Sequence, residues 1–277
     1  MNALVGERFS IITNKPQTTR HRIIAIINEP EYQIVFSDTP GIIDQPGYKM
    51  QKAMNTSVMG ALEDADILIY MTDVVEEKFI HPNLLKRLKD VEVPIYLVIN
   101  KIDLSDQKTV EDLATWWNEI ISFDQIFAIS AIEKEGTQGL FNIILTNLGE
   151  GPEYFPKDQF TDRPEKFFVS EIIREKILEQ FHQEIPYSCE VIVTSFKEKS
   201  TKKGMMTHIQ CLIIVGRKSQ KSILIGKGGA AIKKLGISAR KDIELFLEKS
   251  VHLELHVKVK DKWRDNEKLL KSYGYLN

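Results

Sequence analysis

Residues 32–42 read Y-Q-I-V-F-S-D-T-P-G-I, an apolar strand that ends on a carboxylate and then turns sharply. Ile34 and Phe36 fill one face and Val35 the other, by the two-residue alternation of a strand. Pro40 fixes φ and Gly41 permits φ > 0, so the chain can turn at once after Asp38. A carboxylate at the C-terminal end of a parallel strand stands where open α/β sheets build their ligand crevice. It suits a Mg²⁺ held through water, and Gly41 can offer its backbone N–H to a terminal phosphate with no Cβ in the way. Asp38, Thr39, Pro40, Gly41 and Ile42 are the nucleotide-binding candidates of this stretch. Taken alone, D-T-P-G is only a turn after a strand.

A second stretch changes that reading. Residues 95–103 are I-Y-L-V-I-N-K-I-D, a continuous apolar run of the kind buried on both faces in a parallel sheet. It ends in Asn100, Lys101, Ile102 and Asp103. A carboxylate can accept two hydrogen bonds from the N1–H and N2–H₂ edge of guanine, and adenine lacks that donor pair. Asn100 can bond the purine and brace the loop, and Lys101 can lay its stem along the base. A third strand, residues 125–130, ends in Ser130 and Ala131, where a backbone N–H can meet guanine O6. Three such ends in this order point to GTP or GDP with Mg²⁺.

The first half alternates strands with helices, which gives a mainly parallel sheet. Strands are expected at 23–28 and 67–72. Helices are expected from about 49 to 64, at 84–91, at 110–121 and at 138–148, and Trp116 and Trp117 read as packing residues. Residues 43–48, with Pro46 and Gly47, read as a mobile loop. Residues 1–6 look like the last turns of a helix closed by Gly6. Residues 9–22, F-S-I-I-T-N-K-P-Q-T-T-R-H-R, form a polar loop rich in basic and hydroxyl side chains. Such a loop can supply a Thr hydroxyl to Mg²⁺, from Thr18 or Thr19. Thr19 is taken as the metal ligand beside Asp38. Thr19 and Gly41 fall nearest the expected terminal phosphate, and no residue is assigned as catalytic.

At 277 residues the chain fits two domains, and 43% hydrophobic residues can bury a real core. Its halves differ in charge. Residues 1–150 carry 13 Lys and Arg against 22 Asp and Glu, a net of −9, and residues 151–277 carry 24 against 17, a net of +7. That split implies a polyanionic partner for the second half. The two cysteines, Cys189 and Cys211, form no C-x-x-C, which argues for a reducing compartment without a disulfide framework or zinc site. No apolar run is long enough to span a bilayer, and no signal pattern opens the chain. A cytoplasmic protein is expected.

The domains are read as residues 1–150, a linker at 151–164 pinned by Tyr154 and Phe155, and residues 165–277. A helix at about 165–182 has Phe168, Ile172, Ile173 and Leu178 spaced for one buried face. Strands at 190–196 and 206–217 are joined by the basic tip K-E-K-S-T-K-K-G. Gly226-Lys227-Gly228-Gly229 then lies between two helices, and a strand follows at about 251–259. Without side chains in the way, that loop lets a nucleic-acid backbone approach, and the next helix presents its N-terminal N–H groups to phosphate. Lys227 adds charge, with Lys221, Lys233 and Lys234 around it. His252 and His256 share a strand face about 13 Å apart at ~3.3 Å per residue, too far for one metal ion. Trp263 reads as a base-stacking residue or as a packed domain edge.

S-I-I-T-N-K-P-Q-T-T-R-H-R, D-T-P-G-I and N-K-I-D together resemble the translation-factor-like GTPases, and within them the Era family. The order helix, strand, strand, helix, G-x-x-G, helix, strand resembles a type II KH domain. The resemblance covers nearly all the chain. It implies an α/β fold in which a P-loop-type GTPase domain precedes an α+β KH domain. It also implies a slow GTPase switch that binds small-subunit ribosomal RNA and assists small-subunit assembly. In Ras-like GTPases a Gln orients the attacking water where Ile42 stands here, so another way of ordering water is implied. Peripheral contact with the inner face of the cell membrane and a monomeric state come from the resemblance alone. The family opens with a strand and a phosphate loop, G-x-x-x-x-G-K-[ST], that this sequence lacks. The expectation is a chain truncated at its N-terminus, with the first strand absent from between those at 32–38 and 67–72. An alternative is an RNA-binding module whose nucleotide half is inactive.

Overall fold

The computed structural model describes residues 1–277 except Asn14, Glu77, Phe79, Ile80, Lys202, Lys203, Asn277 and the side chain of Thr201. The expected basic hairpin tip falls on Lys202 and Lys203, and Asn14 belongs to the polar loop; these lie outside the described residues. In chain order the elements are α1 (Asn2–Val5), β1 (Ile23–Asn28), β2 (Gln33–Asp38), α2 (Lys49–Ala61), β3 (Leu68–Asp73), α3 (Pro82–Lys89), β4 (Ile95–Asn100), α4 (Gln107–Ile120), β5 (Gln125–Ala128) and α5 (Thr137–Asn147). There follow α6 (Glu165–Gln180), α7 (Ile185–Ser188), β6 (Glu190–Thr201), β7 (Gly204–Val215), α8 (Lys218–Ile225), α9 (Ala230–Leu247), β8 (Val251–Val259) and α10 (Glu267–Ser272). Two compact units form, and they interleave along the chain. The first holds Met1–Arg8, Ala25–Ser37 and Thr56–Phe160; the second holds Phe9–Ile24, Asp38–Asn55 and Thr161–Asn277.

In the first unit β3, β4 and β5 pair in parallel, in that order. Parallel neighbours need crossover connections, and α3 and α4 supply them. β4 lies in the middle and buries Leu97, Val98 and Ile99 completely, which accounts for its unbroken apolar run. Trp117 is buried on Leu97, Ile99 and Leu113, with its ring 4.8 Å from that of Tyr70, so the tryptophan pair packs as expected. β1 and β2 form a separate two-stranded sheet among the described residues. The linker lies along them, but not through the Tyr154 ring. Tyr154 is 74% exposed. The amides of Tyr154 and Phe155 instead donate to Oε1 of Gln33 at 2.9 and 3.0 Å, so one half-buried strand side chain satisfies two backbone N–H groups.

In the second unit β6 and β7 are antiparallel and β8 joins β7 in parallel. Helices α6, α8 and α9 cover one face, over Ile209, Cys211, Ile213, Leu224, Leu235 and Ile243. On the other face Ile214 packs with Met50 and Met54 of α2, Leu270 of α10, Trp263 and Tyr275. Trp263 is 1% exposed and donates Nε1–H to the Ser188 carbonyl at 3.1 Å. It is a packed edge residue and has no face left for a base. Both cysteines are free and buried. His252 and His256 are exposed on either side of Glu254, as their spacing requires. Helix α6 departs from a single buried stripe: Glu171, Arg174 and Glu175 are buried as well. The cause is that the segment read as a polar loop at 9–22 packs on it within the same unit, through residues such as Ile12 and Thr18.

Candidate functional site

The strand ends of the first unit carry the base-recognition candidates. Asn100 closes β4 and its Oδ1 accepts the Ala131 amide at 3.0 Å. Ser130 is fully buried; its hydroxyl donates to Oδ1 of Asp103 at 2.6 Å, and its own amide is held by the Glu135 carbonyl at 3.1 Å. Asp103 itself is exposed. Gly136 makes the return possible: at φ 71° a Cβ there would lie 2.6 Å from the Ala128 carbonyl oxygen. Ile102 is half-buried and donates its amide to the Ile129 carbonyl at 3.3 Å. N-K-I-D and S-A are thus stitched to each other. The Ala131 amide, one of the backbone N–H groups at this strand end, is engaged by the half-buried Asn100.

Lys101 adopts φ 61°, a left-handed conformation uncommon outside glycine. Its ammonium pairs with the carboxylate of Asp73 at the end of β3. Asp73 is 8% exposed and also accepts the amides of Val75 and Glu76, each at 2.8 Å. Burial alone would raise its pKa, but Lys101 and the two amides outweigh that and hold it below the usual range. Sequence reasoning passed over Asp73, although the apolar run before it is the same signal that marked Asp38.

The phosphate-side candidates belong to the second unit. Oδ2 of Asp38 accepts the Ser10 hydroxyl at 2.5 Å and lies 3.4 Å from the Thr19 hydroxyl. The Thr18 hydroxyl is turned away and donates to the Lys15 carbonyl at 2.6 Å. Of the two threonines, Thr19 is the one beside the carboxylate. Carboxylate and hydroxyl oxygens suit a hard cation such as Mg²⁺, which takes one or two carboxylates and completes its shell from phosphates and water. The described residues contain no group of three or more His, Cys, Asp or Glu that could hold a metal ion. Thr39 is half-buried, Pro40 buried, Gly41 exposed and Ile42 half-buried. Gly41 does not use positive φ, and the chain first bends at residues 44–45; a Cβ at Gly41 would meet nothing within 4 Å. The loop expected to be mobile is fastened to α2. Asn55 takes the Ile43 amide at 3.0 Å and returns a bond to its carbonyl at 2.8 Å, and Gln51 takes the Gly47 amide at 2.8 Å.

Residues 15–21 are an anchor, which their polarity concealed. Lys15 donates to the Phe181 carbonyl at 2.6 Å and to that of Leu178, the open carbonyls at the C-terminal end of α6. Arg174 grips Glu171 with two bonds of 2.6 and 2.8 Å and reaches the Thr18 carbonyl. Arg20 is 3% exposed and donates to the carbonyls of Cys189 at 2.6 Å and Pro186 at 3.0 Å. His21 is buried against Tyr275, ring to ring at 4.4 Å, and burial lowers its pKa to about 4.

The RNA candidates sit at the junction of α8 and α9. Gly226 has φ 71° and ψ 172°, a region essentially reserved for glycine, and a Cβ there would lie 2.7 Å from that of Ala231. Gly228 and Gly229 also have positive φ, and a Cβ on either would meet nothing, so the outside of the loop is open. No side chain caps α9, and its first amide, that of Ala230, is taken by the Lys227 carbonyl. Lys227, Lys233 and Lys234 are exposed and Lys221 is half-buried. Lys233 and Lys234 border a hollow along α9 with Ala230, Ile237, Ser238 and Lys241.

A parallel α/β sheet with N-K-I-D at a strand end, D-T-P-G at the end of β2 in its own sheet, and a G-x-x-G α+β unit define a P-loop-type GTPase fold joined to a KH domain. The chain matches the family described as 50S ribosome-binding GTPase over residues 1–101 and the KH domain family over residues 184–264. It is 39% identical over 279 residues to GTPase Era of Clostridium botulinum, covering 100% of this chain and 93% of that protein. Its fold matches a crystal structure of Era in complex with MgGDPNP and nucleotides 1506–1542 of 16S ribosomal RNA, with a TM-score of 0.92 and 34% identity, covering 100% of this chain and 93% of that one. Aquifex aeolicus Era bound to GDP·AlF4⁻ matches with the same score and identity. The chain belongs to the Era GTPase family. It is also 44% identical to the GTPase ERA-like, chloroplastic protein of rice, where 99% of the chain covers 65% of the relative, about two thirds of its length.

Proposed function

We propose that the chain is a slow guanine-nucleotide switch that binds small-subunit ribosomal RNA and assists assembly of the small ribosomal subunit. The observation that carries the nucleotide half is the exposed Asp103 carboxylate, held by the Ser130 hydroxyl at 2.6 Å on a loop that Asn100 braces from β4. Fixed in this way, it accepts both N–H groups of the guanine edge, while the Lys101 stem flanks the base. Thr19 and Asp38 are the residues that hold Mg²⁺. When bound, the ion neutralises charge on the β- and γ-phosphate oxygens. The Ile42 side chain has no polar atom to orient a water, which fits slow hydrolysis.

For the RNA half, Gly226 to Gly229 admit the backbone, the α9 amides after Ala230 face phosphate, and Lys221, Lys227, Lys233 and Lys234 supply charge. The Era structure with a 16S segment supports that choice of partner. Two buried free cysteines suit a reducing compartment, read here as the cytoplasm. Among the described residues no helix is long and apolar enough to cross a membrane. A monomer with peripheral membrane contact follows from the family resemblance alone.

The test is binding of a single-stranded RNA matching the 3′ end of small-subunit ribosomal RNA, measured across a salt series. Each Lys→Ala among the four is expected to lower the slope of log Kd against log salt by about 0.7 to 1. Changing Gly226 and Gly229 to Asp abolishes binding. Equal binding by that double variant contradicts the proposal.

A further inference from the structure

We propose that Asp73 is a positioning residue for the base site: it fixes the ammonium of Lys101 so that the lysine stem stands where the guanine ring docks. The inference rests on the guanine reading of N-K-I-D given above, and it assigns a residue outside that motif.

Three observations point the same way. Asp73 is placed by backbone pairing, since it is the register partner of Asn100 across β3 and β4, and the Val74 amide donates to the Asn100 carbonyl at 3.3 Å. It is buried, and the Val75 and Glu76 amides at 2.8 Å hold its carboxylate in one orientation. Its other oxygen, Oδ2, is the one that meets Lys101. Lys101 is itself 44% exposed in its side chain and carries a left-handed backbone. A flexible four-carbon stem on such a loop has many rotamers open to it. An anchored carboxylate selects one before any ligand arrives, and preorganisation of this kind raises affinity by removing an ordering cost. The three strand ends then form one braced set: Asp73 with Lys101, Asn100 with Ala131, and Asp103 with Ser130.

Asp73→Asn keeps an acceptor for the two amides and removes the charge that holds Lys101, so it tests positioning with little change in packing. Titration of the full chain with fluorescent GDP is expected to show roughly three- to tenfold weaker binding in this variant. In a Lys101→Met background the same substitution is expected to change nothing further, because its effect runs through the lysine. A second readout needs no nucleotide: acylation of Lys101, followed by mass spectrometry, is expected to rise severalfold in Asp73→Asn. Unchanged GDP affinity in Asp73→Asn overturns the proposal, as does a full additive loss in the double variant or unchanged Lys101 reactivity. Asp103→Asn, run alongside, separates the two ideas. If it weakens GDP and Asp73→Asn does not, the positioning role fails and the guanine reading stands. If neither does, both fall.

Discussion

The Tyr275 hydroxyl donates to Oε2 of Glu190 at 2.6 Å, deep inside the second unit. The same oxygen lies 3.5 Å from Nη1 of Arg20, so one carboxylate joins the segment that carries Thr19 to β6 and to the chain's last residues. All three side chains are buried. Removing one partner of a buried ion pair leaves a charge without compensation, which typically costs about 3–5 kcal/mol. Arg20→Met is expected to cost that much, and Tyr275→Phe about 1–3 kcal/mol for the lost hydrogen bond. Hydrogen-exchange protection of β6 and β7 reads both, with the arginine variant the worse of the two.

His21 makes the same packing sensitive to acid. Its ring is buried, and burial holds its pKa near 4 against an ordinary 6.5, with Arg174, Arg163 and Arg20 adding to the effect and Glu171 opposing it. The folded state therefore refuses a proton that the unfolded chain accepts. Stability from this group is complete above about pH 6.5 and is lost as the pH falls towards 4, up to about 3 kcal/mol in all. Melting temperature recorded from pH 7 to pH 4 is expected to fall less steeply in His21→Phe than in the parent.

The glycines of the RNA loop are not equivalent. Gly226 combines a φ/ψ pair closed to other residues with a Cβ position 2.9 Å from the Ala231 amide nitrogen, whereas Gly229 has open space around it. Gly226→Ala is expected to destabilise the second unit by about 2–4 kcal/mol and Gly229→Ala by about 1–2 kcal/mol. Urea unfolding that ranks them the other way contradicts this account of the loop.

How much of this was legible in the sequence depends on what each residue does locally. The β4 run and N-K-I-D could be read at once, because a strand buried on both faces shows as unbroken apolar sequence and its end shows as a polar break. Gly226 to Gly229 were legible because their spacing is itself the backbone requirement. Lys15, Arg20 and His21 were not. Lys15 and Arg20 find carbonyls and a carboxylate up to 170 positions away and His21 finds the Tyr275 ring, and a charged run carries no mark of what will bury it. The same holds for Trp263, which sequence left open between a base and a core. Gly41 misled, because glycine permits positive φ without requiring it.

The central claim is that Asp103, steadied by Ser130, reads guanine. Fluorescent GDP titrated into the full chain tests it most directly. Micromolar binding that Asp103→Asn weakens by about tenfold or more is the expected result, since one charged acceptor of two hydrogen bonds is lost. Equal affinity in parent and variant contradicts it, and so does the absence of any binding, which would leave only the RNA-binding half at work.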